Sequence, residues 1–429
     1  MIIERDIYQL SVGAYVVDIV QQRGHYKIKH SGWVKDFHAI EHLIEQGVLR
    51  VRVDTSKRRK PEENKDVKNV LDADAEAEKV EQPLDLTSQS GQNEKPDESA
   101  DKGQVADKPG VLAQNYAERL SVAKTLFDDA KKIQSKVLDD IKNGQPVDPA
   151  PIKALTDQSI EQIFENPDAL ACVINIRRKD EYLLEHSISV SILMTIFCRF
   201  LKFERELTHA LAVGAFLHDV GKIKIPDKVL NKPGKLTASE FEVIKKHAVF
   251  SKKIVDETSD LAAVTRQVVA NHHEKLNGGG YPLGLGAEDL STYDRMITIC
   301  DIYDALCAHR VYKQGIAQIK AFVILRELAK NGELDPVKVD QFIRCLGVYP
   351  VGSLVKLNTN RLAIVKSRNQ ENPTQPVVKA FFNLKQNVFT FAKDIDLSSD
   401  VEESIEKGVR ADDFDLDMNK ITEFLLMQG

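Results

Sequence analysis

The sequence has few of the cysteine patterns that stabilise secreted proteins or hold soft metals. Its five cysteines are Cys172, Cys198, Cys300, Cys307 and Cys345, and no two of them form a C-x-x-C pair. Three of them fall within apolar helical patterns. We therefore expect buried thiols in a reducing cytoplasm rather than a disulfide framework.

Long apolar runs are also missing. No uncharged segment approaches the length of a membrane span, and the first residues do not combine a basic start with an apolar run, so we expect neither a membrane helix nor a signal peptide. The formal net charge of -6 argues against a surface for a nucleic-acid polymer or an anionic membrane. The length of 429 residues predicts two or three domains, 42% hydrophobic residues suffice for packed cores, and 29% charged residues fit the soluble, cytoplasmic protein that we expect.

Changes in composition divide the first part of the chain into three segments. Residues 1–57 alternate short apolar runs with turn signals, which predicts a small α+β module with a strand at VLRVRVD and a short helix over residues 39–45. Residues 58–110 are polar and nearly free of apolar side chains, which predicts a disordered insert. Apolar residues spaced by three and four over residues 116–142 predict a long helix inside a connector of residues 111–150. That spacing fits a dimerisation helix and an ordinary packing helix equally well.

Residues 151–345 predict an all-α domain in which polar side chains recur at inward positions of five helices. These side chains are His186, the pair His218 and Asp219, His247, the pair His272 and His273, and Asp301. One buried histidine has an ordinary explanation as a hydrogen-bonded core residue. Five helices that each bury such a group leave several polar groups to be satisfied together, and a metal site does so. Seven imidazole and carboxylate candidates without a thiolate predict two divalent ions, with iron or manganese favoured over zinc.

The same motifs resemble a known family. HDVGKIKIPDKVLNKPGKLT from His218, the isolated His247, HHEKLNGGGYPLGLG from His272 and DRMITICDIYDALCAHRVYK from Asp294 resemble the HD-GYP domain of bacterial cyclic-dinucleotide phosphodiesterases. An HD pair alone would indicate only the wider HD phosphohydrolase superfamily, and HHE…GYP narrows the assignment. Residues 1–140 resemble the small domain of unknown function that often precedes HD-GYP. Residues 349–365 resemble the extension that follows it.

We interpret residues 349–365 as a β-hairpin with strands near 353–357 and 362–366. It lies in a C-terminal extension of residues 346–429, which we expect to end in an acidic helical tail. The whole chain is thus predicted to be multi-domain, with an α+β module, an all-α domain and a short β-containing extension.

The resemblance implies roles for individual residues. The metal ligands would be His186, His218, Asp219, His247, His272, His273 and Asp301, with Asp219 bridging two ions. Some members hold a third ion with a glutamate one helical turn before the first histidine, and because this position is Tyr182 here, we expect two. A hydroxide bridging the ions would attack the phosphorus in line, while Lys222 would help to neutralise the developing charge. Asp219 and Lys222 are therefore the catalytic candidates.

The substrate candidates also come from the resemblance. Arg310 and Lys313 match positions that hold the ligand's phosphates, and Gly280 would let the backbone approach a ligand closely. Tyr281 would stack or hydrogen-bond at a guanine, unless GYP is only a tight turn. Asp304 would orient a ligand or Lys222.

The leading hypothesis is a phosphodiesterase that opens cyclic di-GMP to linear pGpG, with GMP as a further product. The alternatives are an enzyme for 3′3′-cyclic GMP-AMP and a degenerate receptor that binds the nucleotide and acts through a signalling protein partner. An HD nucleotidase for dNTP or an alarmone should lack HHE…GYP. A homodimer through the helix of residues 116–142 is a further expectation.

Overall fold

The computed structural model describes residues 2–6, 14–22, 31–34, 43, 48–58, 109–175, 182–308, 315–369, 372–400 and 402–427. Contacts between residues divide the chain into two compact units, one containing the strands of residues 2–58 and the other beginning at Gln114 for its main part. Apart from its two ends, the predicted polar insert of residues 58–110 lies outside the described residues. Its disorder stays a prediction.

A four-stranded antiparallel sheet makes up most of what is described of the N-terminal unit. Its strands are β1 (Ile2–Asp6), β2 (Ala14–Gln22), β3 (Gly32–Trp33) and β4 (Val48–Arg58), in the order β1-β4-β2-β3. In β4, Val51 and Val53 are buried while Arg50 and Arg52 are exposed, so that one face packs and the other is solvated. This confirms the strand predicted from VLRVRVD. Of the helix predicted for residues 39–45, only Leu43 is described, and it is helical.

Helices form the middle of the chain. They are α1 (Pro109–Lys142), α2 (Ala150–Glu165), α3 (Pro167–Val173), α4 (Tyr182–Phe200), α5 (Arg205–Leu217), α6 (Asp227–Leu230), α7 (Ala238–Glu257), α8 (Ala263–Asn271), α9 (Thr292–Cys307), α10 (Gln318–Lys330) and α11 (Pro336–Leu346). The first confirms the long helix predicted from periodicity, and Leu120, Ala123 and Ala130 of its apolar stripe are buried. The all-α prediction for this region is confirmed as well.

Two capping boxes fix where the helices near the histidines begin. The Thr237 hydroxyl accepts a hydrogen bond from the backbone N–H of Glu240, and the Glu240 carboxylate accepts one from the backbone N–H of Thr237, as the sequence predicted for α7. Ser291 and Asp294 form the same motif at the start of α9. Asp294 also accepts a bond of 2.7 Å from Gln267 on α8. The cap therefore fixes α9, which carries Asp301, against α8, which ends beside His272.

Aromatic side chains pack α4, α9, α10 and α11 together. The ring of Phe342 lies 5.3 Å from that of Phe197 and 5.2 Å from that of Tyr303, in edge-to-face arrangements. Tyr303 also stacks on Phe322, with 5.3 Å between ring centroids. Each such pair contributes about 0.5–1.5 kcal/mol beyond its buried area, so α4 and α9 are held firmly by their packing.

The turn after α5 approaches α7 at the level of the backbone. This turn is a short 3-10 helix, Val220–Lys224, and Gly221 within it donates its N–H to Ser251 Oγ at 2.8 Å. A Cβ atom on Gly221 would lie 2.2 Å from the carbonyl oxygen of His247 and 2.4 Å from the nitrogen of Ser251. Only glycine fits here, because backbone atoms cannot move aside as a side chain can.

The C-terminal region forms a five-stranded antiparallel sheet. Its strands are β5 (Leu354–Leu357), β6 (Arg361–Ser367), β7 (Val377–Asn383), β8 (Val388–Asp396) and β9 (Ile405–Val409), in the order β8-β7-β6-β5-β9. The hairpin predicted near 353–357 and 362–366 is confirmed as β5 and β6.

The described residues of the first acidic stretch, DIDLSSDVEESIEKG from Asp394, do not form the helical tail that we expected. They form the end of edge strand β8, a turn, and the approach to β9. Ala392 and Ile395 of β8 are buried, while Asp394 and Asp396 beside them are exposed. An edge strand tolerates such charges because one side of it faces water. The second acidic part, residues 411–417, begins with a short 3-10 helix, Ala411–Phe414, and α12 (Met418–Met427) follows it, as the amphipathic end of the chain suggested.

Four of the five cysteines are buried and none forms a disulfide. Burial raises the pKa of the Cys345 thiol to about 12, which makes it an inert core residue. Among the described residues, no helix combines the length and the apolar character that crossing a bilayer requires.

We predict that Gly221→Ala lowers the free energy of unfolding by roughly 1–3 kcal/mol, because the added methyl group overlaps backbone atoms of α7. Urea titration followed by circular dichroism measures the change. Gly286→Ala is the matched control, since a Cβ atom there would meet nothing closer than 4.0 Å. Equal stabilities of the two variants would contradict the tight approach at Gly221.

Candidate metal centre

Seven polar side chains from five parts of the helical region meet in one buried place. They are His186 from α4, His218 and Asp219 just after α5, His247 from α7, His272 and His273 just after α8, and Asp301 from α9. None is more than 7% exposed. The structure thus brings together all seven residues that the sequence singled out as ligand candidates, although its helices are far apart in the chain.

The side chains form two adjoining groups. Asp219, His247, His272 and His273 offer four atoms that lie within 4.8 Å of one another, and His186, His218 and Asp301 offer three. Four and three donors are each enough to hold one divalent ion, with water completing the coordination. The arrangement therefore suits two ions rather than one.

The backbone of each helix determines which ring nitrogen faces the centre. Nδ1 of His218, His247 and His272 lies 2.7 Å from the carbonyl oxygen three residues earlier in each case. A carbonyl can only accept, so each Nδ1 carries the hydrogen, and when the ring is neutral the lone pair of its Nε2 faces inward. His186 is fixed similarly, because its Nδ1 lies 2.7 Å from Asp304 Oδ2. A lone pair directed inward is what a metal ligand needs.

Asp219 belongs to the first group and also contacts the second. Its Oδ1 is 3.3 Å from Nε2 of His247 and 3.8 Å from Nε2 of His272. Its Oδ2 is 3.4 Å from Nε2 of His186 and 3.3 Å from Nε2 of His218. One oxygen of a single carboxylate thus faces each group, which is the geometry of a bridging ligand.

Several buried atoms in the centre have no hydrogen-bond partner among the described residues. They are Nε2 of His218, one oxygen of Asp301 and Oδ1 of Asp219. Nε2 of His247 also lies 3.3 Å from Nε2 of His272 and 3.1 Å from Nε2 of His273. Lone pairs of buried nitrogens do not attract each other. The donor set therefore fits cations, which would satisfy all of these atoms at once.

The ionisation of these groups reflects the same arrangement. Burial alone would raise the pKa of Asp219, but Lys222 and His218 outweigh it and hold that pKa well below its ordinary value. Asp301 is held low in the same way by His186 and His218. Burial lowers the pKa of His218, yet Asp219 and Asp301 outweigh it and raise the pKa to about 10. The carboxylates stay ionised, and without metal a proton on His218 takes part of the place of a cation.

His272 shows the opposite shift. Burial and the neighbouring imidazoles, above all His273, hold the pKa of His272 well below its ordinary value. A neutral imidazole with its lone pair exposed to the centre is ready to bind a metal without first losing a proton.

The two catalytic candidates are in direct contact. Nζ of Lys222 lies 2.9 Å from Asp219 Oδ2, and Lys222 is 4% exposed. The ammonium therefore supplies a buried positive charge at the edge of the centre. Arg310 and Lys313, the predicted phosphate contacts, lie outside the described residues, and their roles stay predictions.

Three predicted substrate contacts have surroundings that the sequence did not reveal. A Cβ atom on Gly280 would lie 2.5 Å from Glu274 Cα, so this glycine allows one part of the protein to approach another. Asp304 is fully buried, and its Oδ2 lies 2.7 Å from Nδ1 of His186. Tyr281 lies against His273, with 4.6 Å between ring centroids and 38° between ring planes. The stacking of a guanine on Tyr281 stays a prediction.

Two glutamates, Glu185 and Glu274, are direct sequence neighbours of ligand candidates. Glu185 precedes His186, and its Oε1 lies 3.5 Å from Nζ of Lys131 on α1. The side chain of Tyr182 and the whole of residue 181 lie outside the description. Glu274, which follows the histidine pair, was missed by the sequence reasoning. Its position in HHE was the available signal.

Comparison with known proteins matches two family models to this chain. Residues 172–337 match a model described as an HD domain, and residues 2–152 match a domain of unknown function, DUF3391. The range that matches the HD domain model contains all seven side chains of the centre. The resemblance noted from the motifs, with the small domain ahead of it, is thereby confirmed.

Individual relatives are similar over parts of their length. A cyclic di-GMP phosphodiesterase of Pseudomonas aeruginosa is 34% identical over 272 residues, which cover 63% of this chain and 65% of that protein. A 3′3′-cGAMP-specific phosphodiesterase of Vibrio cholerae is 34% identical over 186 residues, which cover 42% of this chain and 40% of that protein. The chain thus spans just under two thirds of the length of the first relative and two fifths of the length of the second. A solved HDG"Y"P protein from Bdellovibrio bacteriovorus aligns over 80% of this chain and 98% of its own, with 14% identity and a TM-score of 0.45.

We predict that Asp304→Asn weakens divalent metal binding roughly 10–100-fold, because the neutral amide no longer fixes the tautomer of His186. Competition with a metal-sensitive chelator dye measures the affinity. Asp340→Asn is the control, since that carboxylate is half exposed and paired with Arg326. Unchanged affinity in Asp304→Asn would show that His186 needs no such support.

Proposed function

Starting from the HD domain that occupies residues 172–337, we propose that this chain is a metal-dependent phosphodiesterase that hydrolyses cyclic di-GMP. The products would be linear pGpG and, after a second hydrolysis, GMP. The observation that carries the proposal is the pair of adjoining ligand groups with Asp219 between them. Two adjacent cation sites are a recurrent solution for cleaving phosphate diesters.

We propose one ion in each group, hence two per chain, and iron or manganese as the metal. Imidazole and carboxylate donors without a thiolate favour such metals over soft ones. Two divalent cations bound here would activate a water and offset the negative charge that develops on the phosphoryl oxygens.

The side chains around the centre would do the rest. Lys222 is buried against Asp219, so its ammonium lies in a region of low dielectric and would attract a phosphoryl oxygen strongly. Asp304 would keep Nε2 of His186 directed inward throughout the reaction. Arg310 and Lys313 would hold the second phosphate of the cyclic substrate, as the family resemblance implies.

The base preference has two candidates. Relatives of this chain are named for cyclic di-GMP and for 3′3′-cGAMP, so hydrolysis of 3′3′-cGAMP is the alternative. Both substrates present the same phosphodiester linkage to the centre and differ in one base. A receptor without activity is disfavoured because all seven candidate ligands are present and converge. A cytoplasmic location, a homodimer and a signalling partner stay predictions.

We predict that the purified chain, reconstituted anaerobically with Fe²⁺ or with Mn²⁺, binds two ions and converts cyclic di-GMP to pGpG. Elemental analysis gives the metal content, and chromatography of timed samples gives the rate for each cyclic dinucleotide. The double variant His218→Ala, Asp219→Ala should lose activity on the order of 10³-fold or more, because both groups lose a donor.

The control for this variant is His209→Ala, which removes a part-exposed histidine that contacts the carbonyl oxygen of Lys153. It should retain metal and activity. A wild-type protein that holds two ions and binds a cyclic dinucleotide but leaves it intact would be a receptor. Faster cleavage of 3′3′-cGAMP would establish the alternative substrate.

A further inference from the structure

A buried carboxylate next to the metal centre is fully used by backbone groups. Oε1 of Glu274 accepts hydrogen bonds from the N–H groups of Leu283 at 2.7 Å and Gly284 at 3.2 Å. Its Oε2 accepts one from Leu285 at 2.9 Å. Glu274 is 2% exposed. A buried carboxylate that accepts three N–H groups is well satisfied, so Glu274 is not among the candidate ligands although it follows His273 directly.

These bonds hold one segment, the 277–286 loop, against residues 273 and 274, which follow the metal centre in the chain. The loop begins and ends in an isolated β-bridge between Asn277 and Gly286. In its middle, Tyr281 donates its N–H to the carbonyl oxygen of His273 at 3.2 Å. Gly280 lies against the backbone of Glu274, where no Cβ atom would fit. The loop is therefore fixed to residues 273 and 274 by its backbone, and Glu274 supplies the charged part of the attachment.

The attachment determines where Tyr281 lies. Its ring packs on His273, and the ring centroids of Tyr281 and His247 are 6.3 Å apart. The ammonium of Lys245 lies 5.7 Å from the centre of the Tyr281 ring. Leu283, one of the residues bound by Glu274, projects an apolar side chain that is 69% exposed. The loop thus covers the side of the centre on which His247 and His273 lie.

We propose that Glu274 is a positioning residue that sets substrate affinity by holding the 277–286 loop beside the metal centre. It acts through the loop and touches neither the ions nor the reacting phosphate. The proposal rests on the phosphodiesterase function proposed above. The 277–286 loop is then the structural element that meets the part of a cyclic dinucleotide lying beyond the scissile phosphate.

The chemistry of the contact explains why glutamate is needed. Alanine would leave three N–H groups without an acceptor in a buried place. Glutamine has the same length but offers one oxygen instead of two and turns an N–H₂ group toward another donor. The loop should therefore loosen in Glu274→Gln and detach in Glu274→Ala, while the imidazoles keep their own bonds to their helices.

The test compares Glu274→Gln and Glu274→Ala with Glu288→Gln, an equal chemical change at an exposed residue of the neighbouring segment. For cyclic di-GMP we expect KM to rise roughly tenfold or more in Glu274→Gln, with kcat changed much less. Metal content and hydrolysis of bis(4-nitrophenyl) phosphate, a small diester that needs no loop contact, should match the wild type. Glu288→Gln should match it in every measurement.

Hydrogen–deuterium exchange provides a measurement that does not depend on activity. The amides of residues 283–285 should lose protection in Glu274→Ala, and those of α7 should keep it. Wild-type protection of these amides, or an unchanged KM in both variants, would overturn the proposal. Loss of metal in parallel with activity would also overturn it, because Glu274 would then act on the centre.

The two proposals can fail separately. A wild-type protein that cleaves no cyclic dinucleotide defeats the proposed function alone. The exchange experiment, together with calorimetric binding of cyclic di-GMP to the wild type and to Glu274→Gln, then decides the role of Glu274. Equal dissociation constants for the two proteins would refute it.

Discussion

The structure depends on a group of charges and lone pairs gathered where water cannot reach them. Two ionised carboxylates and the inward nitrogens of five imidazoles share one buried space, and some of these atoms have no hydrogen-bond partner among the described residues. Burying such groups uncompensated costs several kcal/mol per charge. A protein keeps such an arrangement when something else compensates it. Divalent cations are the compensation that this donor set fits, and two of them side by side would supply the chemistry that the proposed hydrolysis needs.

Rigidity around the centre comes mainly from each helix itself. Three histidines are each anchored through Nδ1 to the carbonyl oxygen three residues earlier, so their ring orientation follows from helix position. The Ser291 cap and the aromatic cluster around Phe342 then fix the helices relative to one another. Packing, rather than a long chain of polar contacts, therefore sets the distances between ligands. The loop fastened by Glu274 adds the part of the site that lies beyond the ligands.

Much of this could be predicted from the sequence, because each candidate ligand has an unusual residue type at a position where periodicity expects an apolar one. His186 and Asp301 stand out in this way, and the structure brings them together. Contacts between distant segments could not be predicted, since they are tertiary properties. The close approach of Gly280 to Glu274 and the pairing of Asp304 with His186 are of this kind. The helical prediction for the acidic residues of β8 was wrong because charged residues indicate only solvent exposure. An exposed edge strand accommodates such residues as well as a helix does.

Gly221 has a consequence for how such a centre tolerates change. The turn that carries His218 and Asp219 touches α7 backbone to backbone at this residue, and α7 carries His247. Because Gly221 has no side chain, the backbones can approach this closely, and this approach sets the distance between Asp219 and His247. Any larger residue would increase that distance. The ligand geometry of both cation sites would then change, although the ligand residues themselves were the same. Variation in related sequences should accordingly be narrower at this glycine than at many residues whose chemistry is more conspicuous.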